Sequence, residues 1–265
     1  SRRLFRKLRK SYLKMEDKKP KLNKPLLGSR WGEGMWVLGI FLVSLGVSLC
    51  SKADLGVSMI AAPAFIIQEA LAPHLPWLTV GVTEYVYQGI VLIIMCIIVR
   101  RFDIRYLGAF LVAVIYGYVL DMWLAVIGVE TDVVYFRWLL MAAGAVTTAV
   151  GVTCFFRTYL PLEVYELVVA EVAKRYSFKL EKTKLVYDLI QLTVTAVLAL
   201  TLFDPTEFDW SEIYMKAYHS LGVGTVFMTV VNTPIITLTG KAADKLFGYD
   251  PLFKGLKKLL STRDK

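Results

Sequence analysis

Six stretches of this chain, at about 31–50, 80–99, 106–127, 138–156, 185–203 and 213–238, are apolar over the length a helix needs to cross a membrane. A ~30 Å hydrocarbon layer takes roughly 17–25 helical residues. That layer holds no water to satisfy a backbone N–H or C=O, so each crossing segment must close its hydrogen bonds within itself. The expected fold class is therefore an all-α polytopic membrane protein. Composition agrees: 56% of the 265 residues are hydrophobic and 20% are charged, with most charges between the blocks. All six tryptophans, Trp31, Trp36, Trp77, Trp123, Trp138 and Trp210, fall at block edges, where an amphipathic ring prefers the headgroup zone. No segment combines a charged start, a short apolar middle and a small-residue cleavage site, so the first span is expected to serve as the insertion signal.

The blocks also carry a weak internal duplication. Residues 45–58, Leu-Gly-Val-Ser-Leu-Cys-Ser-Lys-Ala-Asp-Leu-Gly-Val-Ser, are echoed by 150–163, Val-Gly-Val-Thr-Cys-Phe-Phe-Arg-Thr-Tyr-Leu-Pro-Leu-Glu. Downstream, Val86-Tyr87-Gln88 is answered by Val186-Tyr187-Asp188, and Leu107-Gly108 by Leu221-Gly222. A doubled unit inside an apolar chain is a signature of transporter-like folds. It divides the protein into membrane repeat one, 31–128, and membrane repeat two, 137–239, flanked by a basic arm, 1–30, and a basic tail, 240–265.

Two stretches, 56–71 and 161–175, are too short or too charged to be read directly as spans, and positive charge arbitrates, because Lys and Arg near span ends are retained on the cytoplasmic side. If neither crosses, only Lys52, Arg137 and Lys216 of the 31 Lys and Arg lie outside. If both cross, giving eight crossing helices, Arg100, Arg101, Arg105 and Arg157 move outside and Arg137 moves in. The favoured topology is six transmembrane helices plus two short re-entrant or interfacial helices, with both termini cytoplasmic and the two repeats inverted. Inverted repeats are the geometric basis of alternating access; the plainer reading is a duplication that built a stable bundle. Leu4, Phe5, Leu8, Tyr12 and Leu13 in the arm, and Leu252, Phe253, Leu256, Leu259 and Leu260 in the tail, sit among cations. Both read as interfacial helices on the anionic lipid of the inner leaflet. The positive-inside bias accounts for the net charge of +9 without a nucleic-acid partner.

Each repeat holds a break that suits a ligand. In Ser51-Lys52-Ala53-Asp54-Leu55-Gly56-Val57-Ser58 a helix is expected to end and another to start, with Asp54 or Ser58 capping the new one. Its counterpart, Arg157 to Glu163, offers Pro161 for a first helical turn and Glu163 for the positive end of the helix dipole. Lys52 and Arg157 occupy equivalent places, and a cation beside a helix N-terminus makes an anion or carboxylate site; ordinary caps and interfacial cations are the bland alternative. Ionisable groups inside spans are functional suspects. Glu84 and Asp188 are the expected proton-coupling carboxyls, unless Glu84 sits at the headgroup boundary. Tyr87, Gln88, Tyr187 and Gln191 complete polar stripes, since Glu84 to Gln88 and Tyr187 to Gln191 are each spaced i, i+4. In the last block Asn232-Thr233-Pro234 is expected to break the helix and free carbonyls into a cavity; near Tyr118, Asp121 makes the matching position of repeat one polar. Gly108, Gly117, Gly222 and Gly224 read as helix-packing contacts. Three cysteines, Cys50, Cys96 and Cys154, in or beside apolar blocks suggest no disulfide framework. Two histidines, His74 in a proline-flanked loop and His219, suggest no metal site and no cofactor.

The string at 45–58, the Leu-Thr-Val-Gly at 78–81 and the helix holding Gly108, Gly117 and Asp121 resemble the YczE/YitT-type bacterial integral membrane proteins over roughly residues 33–238. This chain departs from them at Ser58-Met59-Ile60, where such proteins often show a Pro and an aromatic–Asp pair, and at Thr158-Tyr159-Leu160-Pro161, where the second copy has lost Ala-Asp-Leu-Gly. The resemblance implies a bacterial cytoplasmic (inner) membrane protein of transporter type.

The leading expectation is a permease for a small organic, anion-bearing solute. Lys52 and Arg157 would hold the anion, with Asp54, Ser58, Tyr87, Gln88, Tyr187, Gln191 and Asn232 lining the site and Glu84 or Asp188 coupling a proton. The alternative is a non-transporting scaffold or chaperone docking a cytoplasmic partner through the basic arms; homo-oligomerisation is compatible with either. An enzyme is not expected, because no nucleophile lies at a base-bearing spacing.

Overall fold

A computed structural model describes residues 31–128, 132–158, 160–204, 215 and 217–248, and its described residues form eight helices. In chain order these are α1 (Gly32–Ala53), α2 (Ala62–Leu71), α3 (Val80–Val99), α4 (Tyr106–Val126), α5 (Val134–Phe155), α6 (Val164–Tyr176), α7 (Leu180–Leu202) and α8 (Val223–Leu246). Six of them, all but α2 and α6, are long and apolar enough to cross a membrane. At 1.5 Å per residue the 10 residues of α2 and the 13 of α6 reach about 15 and 20 Å, short of a bilayer core, so the eight-crossing alternative fails on length. The basic arm, the end of the tail, Tyr159, Trp210 and Lys216 lie outside the described residues.

The two halves pack by the same rule. The helix α3 lies on α4 as α7 lies on α8; α1 lies on α4 as α5 lies on α8; α2 touches α3 and α7, as α6 touches α7 and α3. At the centre α1 crosses its own counterpart α5. A Cβ placed on Gly46 would stand 2.7 Å from Gly144 O, and one on Gly39 would stand 3.3 Å from Gly151 O. Early residues of one helix therefore meet late residues of the other, and the pair is antiparallel. The offset that superposes 45–58 on 150–163 carries Gly39 to Gly144 and Gly46 to Gly151, so the Gly39–Gly151 contact becomes the Gly46–Gly144 contact. An internal two-fold axis lying across the helices does this, and the repeats are inverted. Glycine is required at the crossing because the backbones meet with no room for a side chain, as in small-residue helix packing in membranes.

Between α1 and α2 the chain is irregular yet buried, from Leu55 to Ala61. Such backbone survives at membrane depth only where protein covers it and satisfies it. The segment before α8 does so: Ala217 N donates to Asp54 O (2.8 Å), Val57 N to Ser220 O (3.1 Å) and Gly224 N to Leu55 O (2.7 Å). Gly56 has φ +105°, and a Cβ there would stand 2.8 Å from Gly222 N.

Four local expectations are corrected. Asp54 caps no new helix: it ends α1 in the left-handed region (φ 51°) and its carboxylate pairs with Arg137 at 3.1 Å. Ser58 is not the side-chain cap of α2, whose N-cap is Ala61; the Ser58 hydroxyl donates to Met59 Sδ and its carbonyl accepts from Ala61 and Ala62. Pro161 precedes α6 instead of entering its first turn, and its carbonyl accepts from the Trp36 indole at 2.9 Å. The last span begins ten residues later than hydropathy suggested and runs unbroken through Pro234. Hydropathy could not see the turn at His219 and Ser220, both at positive φ, which delays the helix. Proline is tolerated in membrane helices where surrounding groups serve the freed backbone.

Candidate functional site

Three helices aim polar side chains at one place. The first turns of α3 present Glu84, Tyr87 and Gln88, and α7 presents Lys184, Tyr187, Asp188 and Gln191. Both sets follow the i, i+3, i+4 spacing that keeps side chains on one helix face. The short helix α6 starts against them: Glu163 is its N-cap residue, and Tyr165 and Glu166 lie in its first turn. Glu84, Gln88 and Asp188 are fully buried, Glu163 and Glu166 are 1% exposed and Lys184 is 4% exposed. Glu84 therefore lies in the protein interior, as buried as Gln88 and Asp188.

Hydrogen bonds stitch the cluster across the two halves. Tyr165 Oη donates to Glu84 Oε1 (3.0 Å), Gln88 Nε2 to Glu163 Oε1 (2.8 Å) and Tyr87 Oη to Gln191 Oε1 (2.6 Å). Within the second half Gln191 Nε2 donates to Tyr187 Oη (2.6 Å), and Lys184 Nζ pairs with Asp188 Oδ1 (3.3 Å). The Tyr165 ring stands between those of Tyr87 and Tyr187, 6.5 Å from each. Lys184 also lies within the electrostatic field of Glu166 and Glu163. Three carboxyl groups, Asp188, Glu166 and Glu163, thus face one ammonium, with Glu84 next to Glu163, in an interior where an uncompensated charge is expensive. Among the described residues no three His, Cys, Asp or Glu converge closely enough to hold a metal ion.

Of the residues singled out by sequence, Glu84, Tyr87, Gln88, Tyr187, Asp188 and Gln191 come together. Lys52, Asp54, Ser58, Arg157 and Asn232 are placed elsewhere. Lys52 is in the last turn of α1 and Arg157 follows α5, so the antiparallel crossing sends them to opposite ends of the bundle. Arg157 grips Asp244 of α8 with Nε–Oδ1 at 2.7 Å and Nη2–Oδ2 at 3.0 Å, the bidentate geometry that a guanidinium favours. Asn232 is fully buried in α8, with neither amide atom hydrogen-bonded. Asp121 caps α3, accepting from Gly81 N (2.8 Å) and Thr79 Oγ1 (2.7 Å).

Sequence reasoning missed Tyr165, Glu166 and Lys184, and took Glu163 only for a cap. A signal was present: Glu163 and Glu166 flank the start of one short helix, and Lys184 and Asp188 are spaced i, i+4. Read one helix at a time, those charges look like interfacial residues.

A family model matches residues 32–241, from α1 into the last turns of α8, and the chain belongs to that family, a family of unknown function (DUF6198). Neither a curated protein nor a solved structure matches the chain.

Proposed function

We propose that this member of the family is a secondary transporter for a small organic solute, working by alternating access of its two inverted halves. One observation carries the reading: the buried polar cluster is split between the halves, and three of its hydrogen bonds, Gln88 to Glu163, Tyr165 to Glu84 and Tyr87 to Gln191, join α3 of one half to α6 or α7 of the other. Rocking one half against the other about the α1–α5 crossing would open that seam. Polar groups at the interface of inverted repeats are where such proteins hold solute and coupling ion, and buried carboxyls are the groups that carry protons through membranes.

Glu84 and Asp188 are the proton-coupling groups of this proposal. Lys52 and Arg157, expected to grip an anion, are not part of the cluster, so the solute site moves to α3, α6 and α7. The likeness of 45–58 to the YczE/YitT-type proteins supports the same class, in the bacterial cytoplasmic membrane with both termini inside, where the basic arm and tail meet anionic lipid. The proposal assigns no enzymatic step.

Reconstitution in liposomes enclosing a pH-sensitive dye tests it. A solute gradient should drive proton movement, and Glu84→Gln and Asp188→Asn should each abolish the coupling in protein that still purifies as a single species. Coupled flux that persists in both variants sinks the assignment of those carboxyls. Flux that survives removal of residues 1–28 separates transport from partner docking, whereas a scaffold would show no flux with or without them.

A further inference from the structure

The seam between the halves is short of hydrogen-bond donors. On α3, α6 and α7 the buried side-chain atoms without a partner are Glu84 Oε2, Gln88 Oε1, both carboxyl oxygens of Glu166 and Asp188 Oδ2. All are oxygens, able to accept. Leaving one buried acceptor unpaired costs about 1–3 kcal/mol, and more when the group is charged, so a set of them at one place calls for a guest that donates. Glu166 is the clearest case: it is 1% exposed, its carboxyl meets no other side chain by hydrogen bond, and it shares the field of Lys184 and Asp188.

Charge and shape point the same way. Glu84, Glu163, Glu166 and Asp188 outnumber the single ammonium of Lys184, so a cationic guest would compensate carboxylates that burial otherwise penalises. Beside them stand three tyrosine rings, Tyr87, Tyr165 and Tyr187, tilted at 49° and 47° in succession. Their hydroxyls are tied to Glu84 and Gln191, which holds the rings in place. The face of a tyrosine ring attracts a cation within about 6 Å. A carboxylate solute would add acceptors to a site that lacks donors. A bare metal ion would need carboxyls drawn together more tightly than these are.

We infer that the cluster binds a small protonated organic amine, its N–H groups meeting the Glu166 and Glu84 oxygens and its carbon skeleton lying against the tyrosines. The inference rests on the transporter reading for its purpose, though not for its geometry.

Full-length protein in detergent is titrated at about pH 7 with benzylamine, putrescine, agmatine, benzyltrimethylammonium and benzoate, and thermal unfolding is followed. A ligand that binds the folded state raises the Tm by mass action. At least one of the three amines is expected to raise it, benzyltrimethylammonium, which keeps ring and charge but has no N–H, less than benzylamine, and benzoate not at all. Glu166→Gln and Tyr165→Leu should each weaken the Kd of the best amine about tenfold, and size-exclusion elution checks the fold of each, so either variant suffices if the other fails to assemble. No shift from any amine, an equal shift from benzoate, or an unchanged Kd in every folded variant overturns the inference. Amine binding without solute-coupled proton flux leaves the amine site standing and removes the transport reading. Coupled flux of a carboxylate solute without amine binding does the reverse.

Discussion

At the scale of single residues, the crossing of α1 and α5 depends on what its glycines lack. A Cβ on Gly46 would stand 2.6 Å from Thr148 N and 2.7 Å from Gly144 O, both backbone atoms that cannot step aside. Gly46→Ala is therefore expected to destabilise by about 1–3 kcal/mol, as overpacking does, and to lower the Tm. Gly128→Ala is the control, since a Cβ there meets nothing within 4 Å; an equal loss in both variants would contradict the close approach. Arg157 makes a second residue-scale case. Its grip on Asp244 joins the end of α5 to the last turn of α8, and the pair is partly exposed. A double-mutant cycle with Arg157→Ala and Asp244→Ala should return a coupling of about 0.2–1 kcal/mol. Additive losses would mean that the two side chains do not support each other in solution.

At the scale of elements, the connection from α3 to α4 shows how a charged loop is held. Arg105 closes on Asp103 with Nε and Nη2 bonds of 3.1 and 2.8 Å and a backbone N–H bond of 3.0 Å. Chiefly through that side-chain bond, the Asp103 carboxyl is held down at about 2, below the ordinary 3.8. A lowered folded-state value means that the stabilisation is complete above 3.8 and is lost as pH falls through about 2. Asp103→Asn should lower the Tm at neutral pH, and the gap from the wild type should close as pH is taken down through that window; a gap that stays constant would assign the loss to something other than the carboxylate. The same scale shows where hydropathy misleads. For α3 and α4 apolar content and helix boundaries coincide, because Thr79 and Asp121 cap one helix where its apolar run begins. For α8 they do not, because Ala217 and Ser220 bond the chain after α1 and Tyr218 and Leu221 bond each other, which leaves this stretch unavailable for helix, however apolar its neighbours. The helix α7 also starts earlier than expected, at Leu180, drawing Lys184 into a span where Asp188 is its partner.

At the scale of the whole molecule, inversion predicts that equivalent residues emerge on opposite faces of the membrane. Lys52 and Arg157 are such a pair. With Cys50, Cys96 and Cys154 replaced by alanine, Lys52→Cys and Arg157→Cys should react with a membrane-impermeant maleimide added from opposite sides of oriented vesicles. Labelling of both from one side would exclude the antiparallel arrangement of α1 and α5. The inversion is not carried into chemistry. The cluster draws Glu163, Tyr165 and Glu166 from the short helix of the second half and its N-cap. The corresponding stretch of the first half, Ser58 to Ala61, is one hydroxyl followed by apolar residues. Among the described residues, two halves related by a two-fold axis thus enclose one such buried polar cluster, not two.

Sequence by itself determined the membrane class, the six spans, the duplication and the two polar stripes on α3 and α7, because each is written in a local period or a run of letters that hydrophobicity and charge enforce along the chain. That the two copies are inverted was favoured by charge and decided by the antiparallel α1–α5 crossing. Tertiary structure alone decided which charges belong together. Lys52 and Arg157 are equivalent in sequence yet lie at opposite ends of the bundle, since antiparallel packing separates repeat mates. Glu166 and Lys184 look like interfacial charges in their own helices and become neighbours in a buried seam, since the partner a buried charge finds is set by which helix faces meet, and no local pattern records that.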